Sequence, residues 1–147
     1  MKQIIDCKIG DGCIIHENVD LYKCEIGSNT KVKSFVYIQE GVKIGKNCKI
    51  EPFVFIPSGV IIEDNVFIGP GVFFTNDMYP RATNSDWKIK NTIIKEGASI
   101  GAGSTLVCGI TIGKLSMIGA GSVVTKNIPD RMLAYGNPAR PIKEIND

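Results

Sequence analysis

The sequence predicts an all-β protein, a parallel β-helix of about six coils with one long inserted loop and a C-terminal capping segment. Large apolar residues recur every six positions, small or β-branched residues recur two positions ahead of them, and glycine often follows the large residue. Six residues of strand and turn, repeated, describe such a solenoid, and no helical period of about 3.6 residues competes with it.

The large-residue series starts at Ile9 and runs through Ile15 and Leu21. One residue is missing there. The series resumes at Ile26 and continues through Val32, Ile38, Ile44, Ile50, Ile56, Ile62, Ile68 and Phe74. After an interruption it returns at Ile94, Ile100, Leu106, Ile112, Ile118 and Val124. Seventeen of these eighteen positions are Ile, Leu or Val, which chance does not produce even in an Ile-rich chain. The small series includes Cys7, Cys13, Val19, Cys24, Thr30, Val36 and Cys48, and later Thr92, Ala98, Ser104, Ser116 and Ser122. Residues two apart in a strand face the same way, so each hexad presents one large and one small inward side chain. Glycine after the large residue, as at Gly10, Gly27, Gly45, Gly69, Gly101, Gly113 and Gly119, is expected to permit a tight turn. Three hexads per coil make about six coils and a prism roughly 30 Å long.

A chain of 147 residues suits one domain, here 1–147. The net charge of +2 points neither to nucleic acid nor to a membrane surface. The start, MKQIIDCKIG, shows no signal peptide and no membrane span, so a cytoplasmic location is expected. Four of the five cysteines, Cys7, Cys13, Cys24 and Cys48, fall in the small inward series as core residues; Cys108 lies off it. With His16 as the only histidine and no CxxC pair, no metal site is expected.

The aromatic residues Tyr37, Phe55 and Phe73 are eighteen apart, as are Phe35 and Phe53. All precede a large inward residue by one or three, so they point outward and form an apolar stripe on one side of the prism. Such a stripe either packs against another subunit or is covered by the loop that follows. That loop, 75–91, interrupts the repeat at the corner ending the aromatic side and carries Asn76, Asp77, Tyr79, Arg81 and Trp87. The tail, 127–147, contains Pro129, Pro138 and Pro141, which do not continue a ladder, and is expected to cap the last coil.

The pattern over about residues 7–125 resembles the left-handed β-helix of hexapeptide-repeat acyltransferases. Residues 136–140, GNPAR, resemble the motif after the last coil of its acetyltransferase branch, and FTNDMYPRA (74–82) resembles the loop of N-acetyltransferases acting on nucleotide-linked 3-amino sugars. The resemblance implies a homotrimer with active sites between subunits, acetyl-CoA as co-substrate, and a dTDP- or UDP-linked amino sugar as acceptor, in surface-glycan (lipopolysaccharide O-antigen type) synthesis. It places Ala102, Gly103, Ala120 and Gly121 on the CoA-binding wall, with Asn137, Pro138 and the basic residues Lys126, Arg131 and Arg140 towards the CoA phosphates. Asn76 is expected to orient the amine and Asp77 to bind a hydroxyl or draw away the proton; Glu51, Glu63, Tyr79 and Arg81 are weaker candidates for acceptor contacts. A hydroxyl acceptor needs a base, usually histidine, whereas a neutral amine is already a nucleophile; lone His16, far from the loop in repeat order, therefore favours an amine. A sugar O-acetyltransferase and a non-catalytic trimeric scaffold are the alternatives. A zinc carbonic anhydrase on the same prism needs three histidine ligands, so it is excluded in that form.

Overall fold

The computed structural model describes residues 1–146. It holds twenty-one short strands and no helix. In chain order they are β1 (Gln3–Ile5), β2 (Lys8–Ile9), β3 (Ile14–Ile15), β4 (Asp20–Tyr22), β5 (Glu25–Ile26), β6 (Lys31–Val32), β7 (Tyr37–Ile38), β8 (Lys43–Ile44) and β9 (Lys49–Ile50). Then come β10 (Phe55–Ile56), β11 (Val60–Ile62), β12 (Phe67–Ile68), β13 (Phe73–Phe74), β14 (Thr92–Ile94), β15 (Ser99–Ile100), β16 (Thr105–Leu106), β17 (Thr111–Ile112), β18 (Met117–Ile118) and β19 (Val123–Val124). The last two are β20 (Met132–Gly136) and β21 (Ala139–Glu144).

Every third strand stacks in parallel. Sheet A runs β1-β4-β7-β10-β13-β16-β19, sheet B runs β2-β5-β8-β11-β14-β17, and sheet C runs β3-β6-β9-β12-β15-β18-β20, ending on antiparallel β21. The result is a three-sided parallel solenoid of about seven turns, consistent with a left-handed β-helix. The expected count of about six is one short. Strand β1 adds a first turn, because Ile4 pairs with Leu21 and so precedes the series that begins at Ile9.

The repeat places the core. From Leu21 to Val124 every large-series residue is buried, and from Val19 to Ser122 so is every small-series residue. Serine is tolerated inside because Ser104, Ser116 and Ser122 each donate to a glycine carbonyl three residues earlier, at 2.8, 2.7 and 2.6 Å. Thr30 donates to Gly45 O at 2.8 Å and accepts from Cys48 N–H at 3.1 Å.

The glycine directly after the large residue has another reason than the one expected. These glycines do not adopt positive φ. A Cβ on Gly27 would lie 2.6 Å from the Gly45 carbonyl carbon, and one on Gly101 would lie 2.6 Å from Ala120 N. The next coil leaves no room for it. The left-handed turn sits two residues later, three after the large residue, as at Asn18 (φ 61), Asn29 (59), Asn47 (57), Asn65 (61), Gly41 (86), Gly103 (70) and Gly121 (72). Asparagine and glycine are the residues that tolerate this conformation.

The tail also differs from expectation. It does not leave the repeat at Asn127: Ile128 bridges to Ile112 and is buried, and β20 adds a further parallel strand, pairing Ala134 with Ile118. The cap proper is β21, which folds back through Asn137-Pro138 and covers the open edge of β20.

The close glycines give the first prediction. Gly101→Ala, which drives a methyl into backbone, destabilises by about 1–3 kcal/mol. Gly41→Asn, at a left-handed turn whose Cβ position is empty, costs under about 1 kcal/mol. Urea titration of both variants checks the contrast.

Candidate active site

The three corners of the prism carry different chemistry. Corner A/B, where the chain passes from sheet A to sheet B, holds Asn76. Stepping by one coil from Asn76 leads to Ser58, Glu40 and Lys23 in one direction and to Cys108 and Lys126 in the other. The loop is inserted here. Residues 32 apart pair across it (Ile62 with Ile94) where 18 is the rule, so it adds 14 residues, 32 − 18, without shifting register.

The base of the loop is anchored. Thr75 Oγ1 accepts from Cys108 N–H at 2.9 Å, and Lys90 N–H donates to Asn76 O at 2.9 Å. Cys108, off the inward series, is buried beneath this base. The Asn76 Nδ2 donates to Ser58 O at 3.0 Å, and Ser58 N–H donates to Gln39 Oε1 at 3.1 Å. A backbone carbonyl only accepts, so the Asn76 amide is held one way round, and its Oδ1 accepts no hydrogen bond among the described residues. Asp77 accepts from Tyr79 N–H at 3.2 Å, closing a local turn.

The loop then folds back along its own chain. Ile89 sits over Gly59, and Trp87 and Ile89 wall a cleft of about 600 Å³ against sheet A. Asn76, Ser58, Gln39 and Tyr37 line it, with Asp20, Glu40, Tyr22 and Gln3 from the first coils. Glu40 pairs with Lys23 at 3.8 Å, and Lys23 lies 5.2 Å over the Tyr22 ring. Tyr22 and then Glu40 hold the Lys23 ammonium above its ordinary range. The residues from the first coils were not singled out in the sequence, although stepping back eighteen from Asn76 reaches Ser58 and then Glu40. The loop does not cover the aromatic stripe, as Tyr37 and Phe73 stay 43% and 51% exposed.

Corner C/A carries the small-residue wall. Ala102-Gly103 stacks on Ala120-Gly121, with Gly121 N–H donating to Ala102 O at 2.8 Å. In this fold the amide two residues after the large residue points out of the ladder. At some of these positions a neighbouring side chain accepts from it: Asp64 from Lys46 (2.8 Å), Glu63 from Glu96 (3.0 Å) and Asp130 from Lys114 (2.8 Å). Among the described residues nothing does so for Ala102 or Ala120, and both are exposed. Two N–H donors therefore stand open one coil apart, about 4.8 Å.

The remaining candidates are dispersed. Glu51 follows Ile50 at corner C/A. Glu63 sits at corner B/C, and its carboxylate is engaged by Glu96 N–H. Tyr79 and Arg81 are exposed on the loop. Asn137 and Pro138 form the hairpin tip, whose Gly136 N–H donates to Ser122 Oγ at 3.2 Å, and Arg140 lies just beyond it, opposite Tyr135. The expected basic cluster does not assemble within one chain. Lys126 lies at corner A/B and Arg131 at corner B/C, where Arg131 N–H donates to Lys114 O at 2.8 Å. The two sit on different edges from the wall because each belongs to a different hexad of the last coil. His16 sits in the first coil at the end of β3, on corner C/A.

The family described as bacterial transferase hexapeptide (six repeats) matches residues 23–58, 41–76 and 91–126, more than half of the chain. The chain belongs to this family. A dTDP-3-amino-3,6-dideoxy-alpha-D-galactopyranose 3-N-acetyltransferase of Aneurinibacillus thermoaerophilus is 67% identical over 49 residues, 33% of this chain and 26% of that protein. A galactoside O-acetyltransferase of Lactococcus lactis is 48% identical over 58 residues, 40% of this chain and 28% of that protein. The matched stretches thus span little more than a quarter of these relatives. Among solved structures, a variant of AntD, an N-acyltransferase from Bacillus cereus in complex with dTDP and coenzyme A, superposes with a TM-score of 0.86 at 22% identity, covering 97% of this chain and 86% of that one. At that identity the likeness establishes the fold. No helix among the described residues is long and apolar enough to cross a membrane.

The thiols of the prism interior yield a pH prediction. Burial, followed by the 3.5 Å contact with the Cys7 thiol, pushes the Cys24 thiol from its ordinary 9.0 up to about 12. Between these values the unfolded chain loses the proton and the folded chain keeps it, so folding stability falls as pH rises, by about 1.4 kcal/mol per pH unit. Burial raises Cys48 in the same direction. Chemical denaturation at pH 8, 10 and 11 checks the slope, and Cys24→Ala reduces it.

Proposed function

We propose that the protein is an acetyl-CoA-dependent N-acetyltransferase acting on the amine of a dTDP- or UDP-linked amino sugar, in the cytoplasmic synthesis of a surface glycan of the lipopolysaccharide O-antigen type. The observation that carries this reading is the clamped Asn76 amide. Its Nδ2 is engaged by Ser58 O, and the residue lines a cleft whose walls also hold Asp20 and Glu40 and include no histidine. Acid groups draw in a substrate ammonium. A fixed carbonyl then accepts from the amine and aims its lone pair, which is catalysis by orientation. The partial matches to sugar acetyltransferases support the same class. Five free thiols suit a reducing compartment.

The amine nitrogen attacks the thioester carbonyl, a C–N bond forms, and the C–S bond breaks with the electron pair leaving on sulfur. The amine proton passes to Asp77 or to the departing thiolate. The open N–H groups of Ala102 and Ala120 suit pantetheine carbonyls or the oxyanion of the tetrahedral intermediate. Asn137, Pro138 and Arg140, beside the same corner, take the nucleotide end of CoA.

Donor and acceptor groups lie on opposite edges of sheet A. Gly103 and Cys108, the coil neighbour of Asn76, are five residue steps apart, about 16 Å of extended chain. One chain therefore does not align them. A homotrimer, with the wall of one subunit facing the loop of the next, supports the reaction, and the exposed Tyr37 and Phe73 supply apolar surface for that contact. The O-acetyltransferase alternative draws on the galactoside O-acetyltransferase match, and the absence of a histidine base from the cleft weighs against it.

The expected outcome is acetyl transfer to amino but not hydroxy sugar nucleotides, with Asn76→Ala lowering kcat/KM more than about tenfold. A loss within about threefold removes the assigned role of Asn76. Phe73→Lys lowers the solution mass from trimer towards monomer; an unchanged trimer shows that this face is not the contact.

A further inference from the structure

Corner C/A changes character along its length. Three residues after each large residue it carries, in coil order, Asn18, Phe35, Phe53, Gly71, Gly103 and Gly121, all with positive φ. Phe35 (φ 62) and Phe53 (φ 64) stand where the other two corners place asparagine, glycine, Leu115 and Arg131. A bulky residue in the left-handed region costs about 1–2 kcal/mol. The two rings stack parallel, with centroids 5.1 Å apart and planes within 3°, yet each remains more than half exposed, at 54% and 59%. Gly71, the next rung, has no side chain to cover Phe53. Burial does not offset the strain, so a ring surface is maintained in solvent.

A basic patch flanks the rings. Lys31 pairs directly with Lys49 across sheet C, and Lys33 follows Val32 at the corner, two residues before Phe35. Like charges set side by side on one face are unfavourable. None of the three lysines makes an ion pair among the described residues. The charged and titratable groups facing Lys33 in its own column are His16 one coil below and Glu51 one coil above.

From the open Ala102 and Ala120 amides towards the N-terminus, the corner therefore reads small and then aromatic, with Lys49 in the coil of Phe53 and Lys31 and Lys33 in the coil of Phe35. We infer that Phe53 and Phe35, with Lys33, Lys31 and Lys49, form the glycosyl-diphosphate subsite of the acceptor. The apolar C–H face of the pyranose lies on the Phe53 ring, and the diphosphate lies among the lysines. The placement matches the ligand: the sugar must end next to the thioester, and Lys31 and Lys33 lie one coil further from the amide wall than Phe53, with Lys49 beside it. Glu51, two residues before Phe53, is placed for a polar edge of the same sugar. The inference rests on the acceptor proposed above.

Calorimetry on the full chain with three ligands tests it: acetyl-CoA, dTDP, and a dTDP-linked 6-deoxyhexose. Phe53→Gly, which installs the residue found at Gly71, is expected to weaken the sugar nucleotide about tenfold and leave dTDP within twofold. Lys33→Gln is expected to weaken both about tenfold, with acetyl-CoA unchanged. Phe35→Gly repeats the Phe53 pattern more weakly. The inference is overturned if Phe53→Gly leaves the sugar nucleotide unaffected, if it weakens dTDP equally (the base then occupies the rings), or if it dissociates the oligomer (the rings then belong to a subunit contact). A wild-type chain that binds acetyl-CoA but neither nucleotide instead removes the proposed acceptor itself.

Discussion

In-register parallel stacking is the constraint on which the rest of this molecule depends. Each backbone group meets its counterpart one coil away, about 4.8 Å along the axis, so whatever occupies a position is repeated or answered by its neighbour. Glycine beside the large residue follows from that spacing, because a Cβ on Gly27 or Gly101 would enter the next coil's backbone. The Phe35–Phe53 stack follows from it, and so do the hydrogen bonds that link the Asn76 and Gln39 side chains through the Ser58 backbone. A corner of the prism is thus a one-dimensional array whose rungs are set by residues eighteen apart in sequence.

Such an array separates stability from chemistry. Inward side chains of all three sheets form a single core, and the serine hydroxyls are satisfied locally, as Ser104 and Ser122 show, whereas the buried Thr92 hydroxyl has no partner among the described residues. The corners are free to differ, since a turn asks only for a residue that accepts positive φ. Where the outward amide is answered by Asp64 or Asp130, its hydrogen bond is made within the chain; the amides of Ala102 and Ala120 have no acceptor among the described residues. The same backbone therefore provides both satisfied and unsatisfied edges.

Most of the fold was legible in the sequence, because a six-residue period is a direct record of inward-facing positions. The inward series, from Leu21 to Val124, was read residue by residue, and so was the aromatic column. What the period did not reveal were the places where it lapses. Strand β1 precedes the first regular hexad, and Ile128 and Ala134 continue the core after irregular spacing, so both ends looked shorter than they are. The left-handed turn was misplaced by two residues, because glycine serves two purposes in one hexad and sequence alone does not separate a steric need from a conformational one. For the candidate site, Asn76 could be read from its loop motif. Gln39, Asp20 and Glu40 could not, since their place in the cleft depends on the loop folding back over earlier coils. Lys126 and Arg131 looked clustered because they are near in sequence, while the triangular section sends successive hexads to different edges.

The insertion at corner A/B has a consequence for how such proteins diversify. Its 14 extra residues leave and re-enter the ladder without disturbing the pairing of Ile62 with Ile94, and lengthening a loop adds only slowly to its closure entropy. The segment is therefore a graftable cassette: exchanging it changes the surface presented at one edge while the opposite edge, and the core between them, are inherited intact. The surface at that edge can change by loop exchange, and the surface along the other corners by point substitution, without either process disturbing the pairing of the core.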